Sequence, residues 1–96
     1  QVPLLSNVQK LATEGIITGA SERNWISYGD EIGLPANFSE ADRALLTDPQ
    51  TSGGLLVSCS PDSVKEVLEI FNQHQFLGAR VIGQMSKRQE KPLVVS

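Results

Sequence analysis

Ninety-six residues with a formal net charge of −3, 40% hydrophobic and 20% charged, describe one small folded domain with a modest core and exclude wholesale disorder. The negative charge excludes a general nucleic-acid binder, no apolar run approaches the roughly 20 residues of a membrane helix, and no secretory signal is legible. The single cysteine excludes an internal disulfide, in keeping with a cytoplasmic setting.

The first predicted element is a helix over residues 3–14. Leu4, Leu5, Val8, Leu11 and Ala12 recur at helical spacing, Pro3 suits a first turn and Gly15 suits the position just past the end. Residues 16–24 show no sustained period and carry turn formers, which predicts a loop or a short extended piece. Within it Asn24 is a candidate ligand contact, although an amide that satisfies nearby backbone is the plainer reading. Trp25, Ile26 and Tyr28 then predict an aromatic cluster packed beneath the loop. Base stacking is disfavoured, because the neighbours Asp30 and Glu31 are acidic.

Ser39-Glu40-Ala41-Asp42 is an N-cap signal, with acidic residues in the positive first turn of a second helix. That helix should run through Leu46 until Asp48-Pro49 stops it, since proline lacks the N–H and pushes its predecessor out of αR. Gly53-Gly54 permits positive φ and a close approach to the backbone. Thr51 and Ser52 place hydroxyls beside freed turn amides, a composition suited to holding an anion. A simple helix–strand connection is the plainer reading of the same residues.

Residues 55–59 predict a strand, apolar on both faces at its start as in a central position, with Cys59 an inert buried thiol. Ser60-Pro61-Asp62 opens a third helix with an apolar stripe of Val64, Val67, Leu68 and Phe71, ended by Phe76-Leu77-Gly78. Residues 79–85 predict a strand parallel to 55–59 through a right-handed crossover. A polar turn over 86–92 returns the chain antiparallel into a short strand at 93–95, with Lys87, Arg88 and Lys91 on a solvated hairpin. The sum is an α+β fold, an α/β sandwich of helices on a mixed, mostly antiparallel sheet. A sheet of three or four strands leaves an edge exposed.

The inventory for catalysis is thin. His74 has no second histidine, cysteine or carboxylate at metal spacing, no nucleophile–base pair is legible, and no phosphate-binding glycine loop with its lysine is present. This chain alone is expected to catalyse nothing and to hold no metal.

The word Asp48-Pro49-Gln50-Thr51-Ser52-Gly53-Gly54 followed by Leu55-Leu56-Val57 resembles the signature of the C-terminal domain of selenophosphate synthetases (selenide, water dikinases). That domain belongs to the AIR-synthase-related superfamily. The likeness extends more weakly over nearly all 96 residues. It departs at 16–24, where Thr18 stands in place of a common proline and Ala20-Ser21 fill small positions, while Asn24 keeps its place. The resemblance implies an AIR synthase C-terminal-domain-like architecture, partly ferredoxin-like, here as part of the second domain of a longer two-domain enzyme. It implies ATP and Mg2+ for the full-length enzyme, neither expected to be bound by this piece. The partner it implies is an N-terminal ATP-binding domain of the same polypeptide, in a homodimer when full length, with no nucleic acid or membrane component. Family members convert ATP, selenide and water to selenophosphate, AMP and phosphate. Their reactive cysteine or selenocysteine, its lysine and the metal-binding aspartates lie upstream and map onto nothing here. The candidates left for phosphate or ligand binding are Thr51, Ser52, Gly53, Gly54, Asp48 and Asn24. A sister enzyme of the superfamily and a stand-alone interaction module are the alternatives. The intact seven-residue word favours the selenium branch.

Overall fold

In the computed structural model, which describes residues 2–96, the first helix is shorter than its apolar spacing predicts. Helix α1 is Val8–Thr13, entered through Asn7 at φ 68. Asparagine tolerates this left-handed conformation, and it breaks the helical path, so residues 3–6 stay outside α1. The predicted end is correct. Gly15 adopts φ 84, its N–H reaches Ala12 O at 3.0 Å, and the Ile16 N–H reaches Leu11 O at 2.9 Å. This is the Schellman termination that glycine favours.

The chain falls into two units, Leu5–Gly53 with Lys87–Ser96, and Gly54–Ser86 with the stretch up to Leu4. The first unit holds α1, α2 (Gly19–Tyr28) and α3 (Glu40–Leu46). Helix α2 corrects the loop predicted over 16–24. Thr18 caps it by accepting from the Ser21 N–H, and Glu22 sits in its first turn. Helix α3 starts as predicted. The Ser39 hydroxyl accepts from the Asp42 N–H at 3.0 Å and donates to the Asp42 carboxylate at 2.6 Å. Asp42 also accepts from Gln9 Nε2 of α1 at 3.0 Å, which ties the cap to the neighbouring helix.

The buried residues are small: Ala12 of α1, Ser21 of α2 and Ala44 of α3, at 5%, 3% and 7% exposure. Each of the three helices contributes one, so backbones approach closely where a larger side chain would hold them apart. The predicted aromatic cluster does not form. Trp25 is half-buried with the Arg43 guanidinium 5.1 Å from its ring centroid. Ile26 and Tyr28 are exposed, Ile26 because it lies on the opposite face of the helix from Ser21 and Asn24, and Tyr28 as the last residue of α2.

After α2 a 3-10 turn at Gly29–Glu31 leads into β1 (Ile32–Gly33). β1 pairs in parallel with β2 (Leu93–Val94), Ile32 opposite Leu93 and Gly33 opposite Val94. The antiparallel sheet is thereby corrected: the end of the chain pairs with β1 and not with residues 79–85. Pro92 biases Lys91 to extended backbone at the entry to β2. The Lys91 ammonium donates to Asp30 O, and the Val95 N–H donates to Gly33 O at 2.9 Å, so the pairing is held on both sides of its two-residue ladder.

The second unit holds a 3-10 turn at Pro61–Ser63 and α4, Val64–Gln73. Pro61 opens this segment as predicted, but as a 3-10 turn, and Ser60 precedes it without a side-chain capping hydrogen bond. Val64, Val67, Leu68 and Phe71 are the half-buried residues of α4, which is the predicted stripe. The helix ends at Gln73, earlier than predicted, through a second Schellman termination. Gln75 adopts φ 66, the Phe76 N–H reaches Phe71 O at 2.9 Å, and the Phe71 and Phe76 rings meet edge-on at 6.2 Å. The strands expected at 55–59 and 79–85 are absent among the described residues. A strand requires a paired neighbour for its backbone groups, and neither segment has one. Leu55 and Leu56 are each 82% exposed. Cys59 is likewise exposed, which corrects the buried thiol, because no layers enclose it.

Candidate functional site

The C-terminus of α3 delivers the chain to the glycine-containing segment. Thr47 caps the helix and its hydroxyl donates back to Arg43 O at 2.9 Å. Pro49 then denies any continuation. Residues Gln50–Gly53 form a turn closed by the Gly53 N–H on Gln50 O at 2.9 Å. No residue of this turn has positive φ, so it is a type I geometry with glycine in the favoured fourth position. The requirement for glycine is steric. A Cβ on Gly53 would stand 2.7 Å from Gln50 Cβ and 3.0 Å from Gln50 O. Of the two properties predicted for Gly53-Gly54, the close approach is present at Gly53 and the positive φ at neither.

The predicted residues divide into an anchor and an exposed turn. Asp48 and Asn24 make the anchor. Asp48 Oδ1 accepts from the Thr18 hydroxyl at 2.9 Å and from the Ser21 hydroxyl at 3.4 Å. Asn24 Nδ2 donates to Thr47 O at 2.7 Å, satisfying a carbonyl that the helix end leaves without an intrahelical partner. Two adjoining residues at the end of α3 are thus held by two side chains of α2 and by its N-cap Thr18. Arg43 adds an ion pair to Glu22 at 3.4 Å.

Thr51, Ser52 and Gly53 make the exposed turn. The Thr51 and Ser52 hydroxyls and their N–H groups have no hydrogen-bond partner among the described residues. Gly54 begins the other unit and has open space where a Cβ would stand. Beneath the anchor lies an open cavity of about 140 Å³ whose walls include Val8, Leu11, Ile16 and Leu45, with Thr18, Ser21 and Asp48 at its polar part.

Thr18 and Ser21 were not candidates on the sequence. The signal for them is Thr18 followed by Gly-Ala-Ser-Glu, an N-cap residue with an acid in the first turn. Among the described residues, no group of three or more histidine, cysteine, aspartate or glutamate side chains could hold a metal ion. His74 is exposed. No described helix is long and apolar enough to cross a membrane.

The chain belongs to the family described as AIR synthase related protein, C-terminal domain, which it matches over residues 4–96. Within that family its relatives are selenide, water dikinases. The protein of that name from Pseudomonas straminea is 52% identical over 94 residues, covering 98% of this chain and 26% of the relative. That of Paraburkholderia xenovorans (strain LB400) is 58% identical over 84 residues, covering 88% and 24%. That of Dechloromonas aromatica (strain RCB) is 49% identical over 86 residues, covering 90% and 25%. The chain therefore spans about a quarter of the length of the curated relatives it matches. No solved structure matches it.

Proposed function

We propose that this chain is part of the C-terminal domain of a longer, two-domain selenide, water dikinase of the cytoplasm. The full-length polypeptide would convert ATP, selenide and water to selenophosphate, AMP and phosphate as a homodimer. Its N-terminal ATP-binding domain is the partner of this piece. The observation that carries the reading is the Asp48–Gly54 word at an exposed turn whose Thr51 and Ser52 donors have no acceptor within the fold. The identity to dikinases at about half of all positions supports it.

In this reading Thr51 and Ser52, with the backbone of Gly53 and Gly54, donate to phosphate oxygens of ATP or of a product. Phosphoryl transfer depends chiefly on positioning and on charge stabilisation, so donors fixed in advance are a sufficient contribution from a part that holds no reacting group. Asp48 and Asn24 fix the turn. Asp48 is already engaged by two hydroxyls, and the described residues gather no carboxylate cluster. The residues present do not fit Mg2+, and its ligands belong to another part of the polypeptide.

The test is an assay of the full-length product for conversion of ATP to AMP with and without selenide. Selenide-dependent AMP formation is expected. ATP turnover indifferent to selenide would move the chain to a sister enzyme of the family. Absence of turnover from a gene encoding this domain alone would leave an interaction module.

A further inference from the structure

We infer that Thr18 and Ser21 are positioning residues for the Thr51-Ser52 turn, acting through Asp48, an assignment that rests on the phosphate-binding reading of that turn. The proton inventory is the first support. The Thr18 hydroxyl has one proton, which goes to Asp48 Oδ1 at 2.9 Å, while its oxygen accepts the Ser21 N–H at 3.3 Å. The Ser21 hydroxyl lies 3.1 Å from Thr18 Oγ1 and 3.4 Å from Asp48 Oδ1. Every donor in the group therefore has an acceptor, and Thr18 serves two ends at once. It caps α2 and it holds Asp48, the residue that follows the C-cap of α3.

The setting of Ser21 is the second support, Thr18 being exposed and Asp48 half-buried. Ser21 is 3% exposed, and the carboxylate stands beside a cavity walled by Val8, Leu11 and Leu45. A half-buried carboxylate deprived of these donors turns toward water, and the turn two residues further on shifts with it. Asn24 on Thr47 O restrains the same junction from the adjoining turn of α2. The exposed turn itself has a single internal tie, Gly53 N–H to Gln50 O. Its orientation is set at this anchor.

The experiment compares Thr18→Val, Thr18→Ser, Asp48→Asn and Asp48→Ala in the full-length polypeptide, with hydrogen exchange of the Gly53 amide, the one hydrogen-bonded N–H of the turn, and the kcat and KM for ATP as readouts. Valine keeps the shape of Thr18 and removes the hydroxyl. Exchange in Thr18→Val should quicken about 5- to 30-fold, the factor carried by one or two net hydrogen bonds, and KM for ATP should rise by a similar factor. Thr18→Ser should restore both. Asp48→Asn keeps an oxygen that accepts both hydroxyls and should stay near the parent, whereas Asp48→Ala should match Thr18→Val. Unchanged exchange in Thr18→Val overturns the assignment. So does Asp48→Asn falling as far as Asp48→Ala while Thr18→Val is unaffected, since Asp48 would then meet a ligand through its charge. Failure of the phosphate reading is told apart by Ser52→Ala. An unaltered KM there, with quickened exchange in Thr18→Val, removes the phosphate and retains the anchored turn.

Discussion

At the scale of single residues, the chain is punctuated by small polar side chains that satisfy backbone groups locally. Ser39 is the clearest. Its hydroxyl takes the Asp42 N–H and returns a hydrogen bond to the Asp42 carboxylate. Ser39→Ala should lower the stability of the chain by about 1 kcal/mol, the usual worth of an N-cap. A lower urea midpoint at constant slope would report it. Asn24 shows the same economy across a longer distance. Its amide, a candidate ligand contact on the sequence, donates to Thr47 O.

At the scale of elements, two helices end by the same device with different residues in the left-handed position. Helix α1 uses Gly15 at φ 84 and α4 uses Gln75 at φ 66. Glutamine carries a steric penalty there that glycine lacks, partly offset by the greater freedom glycine loses on folding. Gln75→Gly should therefore stabilise the chain by about 0.5–1 kcal/mol, measured as a raised urea midpoint. The Phe71–Phe76 contact should survive the change, because it depends on the same termination. Helix α2 is the element that periodicity misses. Its inward face is Ala20, Ser21, Asn24 and Trp25, while Ile26 and Tyr28 face solvent. A face that buries hydroxyls and an amide gives no apolar period to detect.

At the scale of the whole molecule, the apolar side chains outnumber the surfaces that cover them. Leu55, Leu56, Phe76, Leu77 and Met85 are all exposed, Met85 at 87%. Exposed apolar side chains in this number bind hydrophobic probes and one another. The isolated chain should raise ANS fluorescence and sediment as self-associated species at micromolar concentration. Paired Leu55→Lys and Leu56→Glu changes should reduce both signals, checked by ANS titration and sedimentation velocity. An isolated chain that stays monomeric and leaves ANS dark would contradict this. Half-buried stripes such as Val64, Val67, Leu68 and Phe71 supply only part of the usual burial free energy, in keeping with the marginal stability of a chain this short.

The sequence by itself determined the features whose causes lie within a few residues. Gly15 after α1, Ser39 before α3, Asp48-Pro49 after it, Pro61 before α4 and the stripe along α4 were all legible, because caps, breakers and i, i+4 spacing are local. The family was legible too, since a seven-residue turn word is contiguous. Tertiary structure alone decided which backbones pair and which polar residues are buried. Ile32 meets Leu93 in parallel, although the pattern of residues 79–95 favoured an antiparallel return. Thr18 and Ser21 acquire their role from Asp48, 30 and 27 positions away. The physical reason is the same in both cases. A ladder hydrogen bond and a buried hydroxyl are stable only with their partner in place, and no residue encodes the position of a partner that far along the chain.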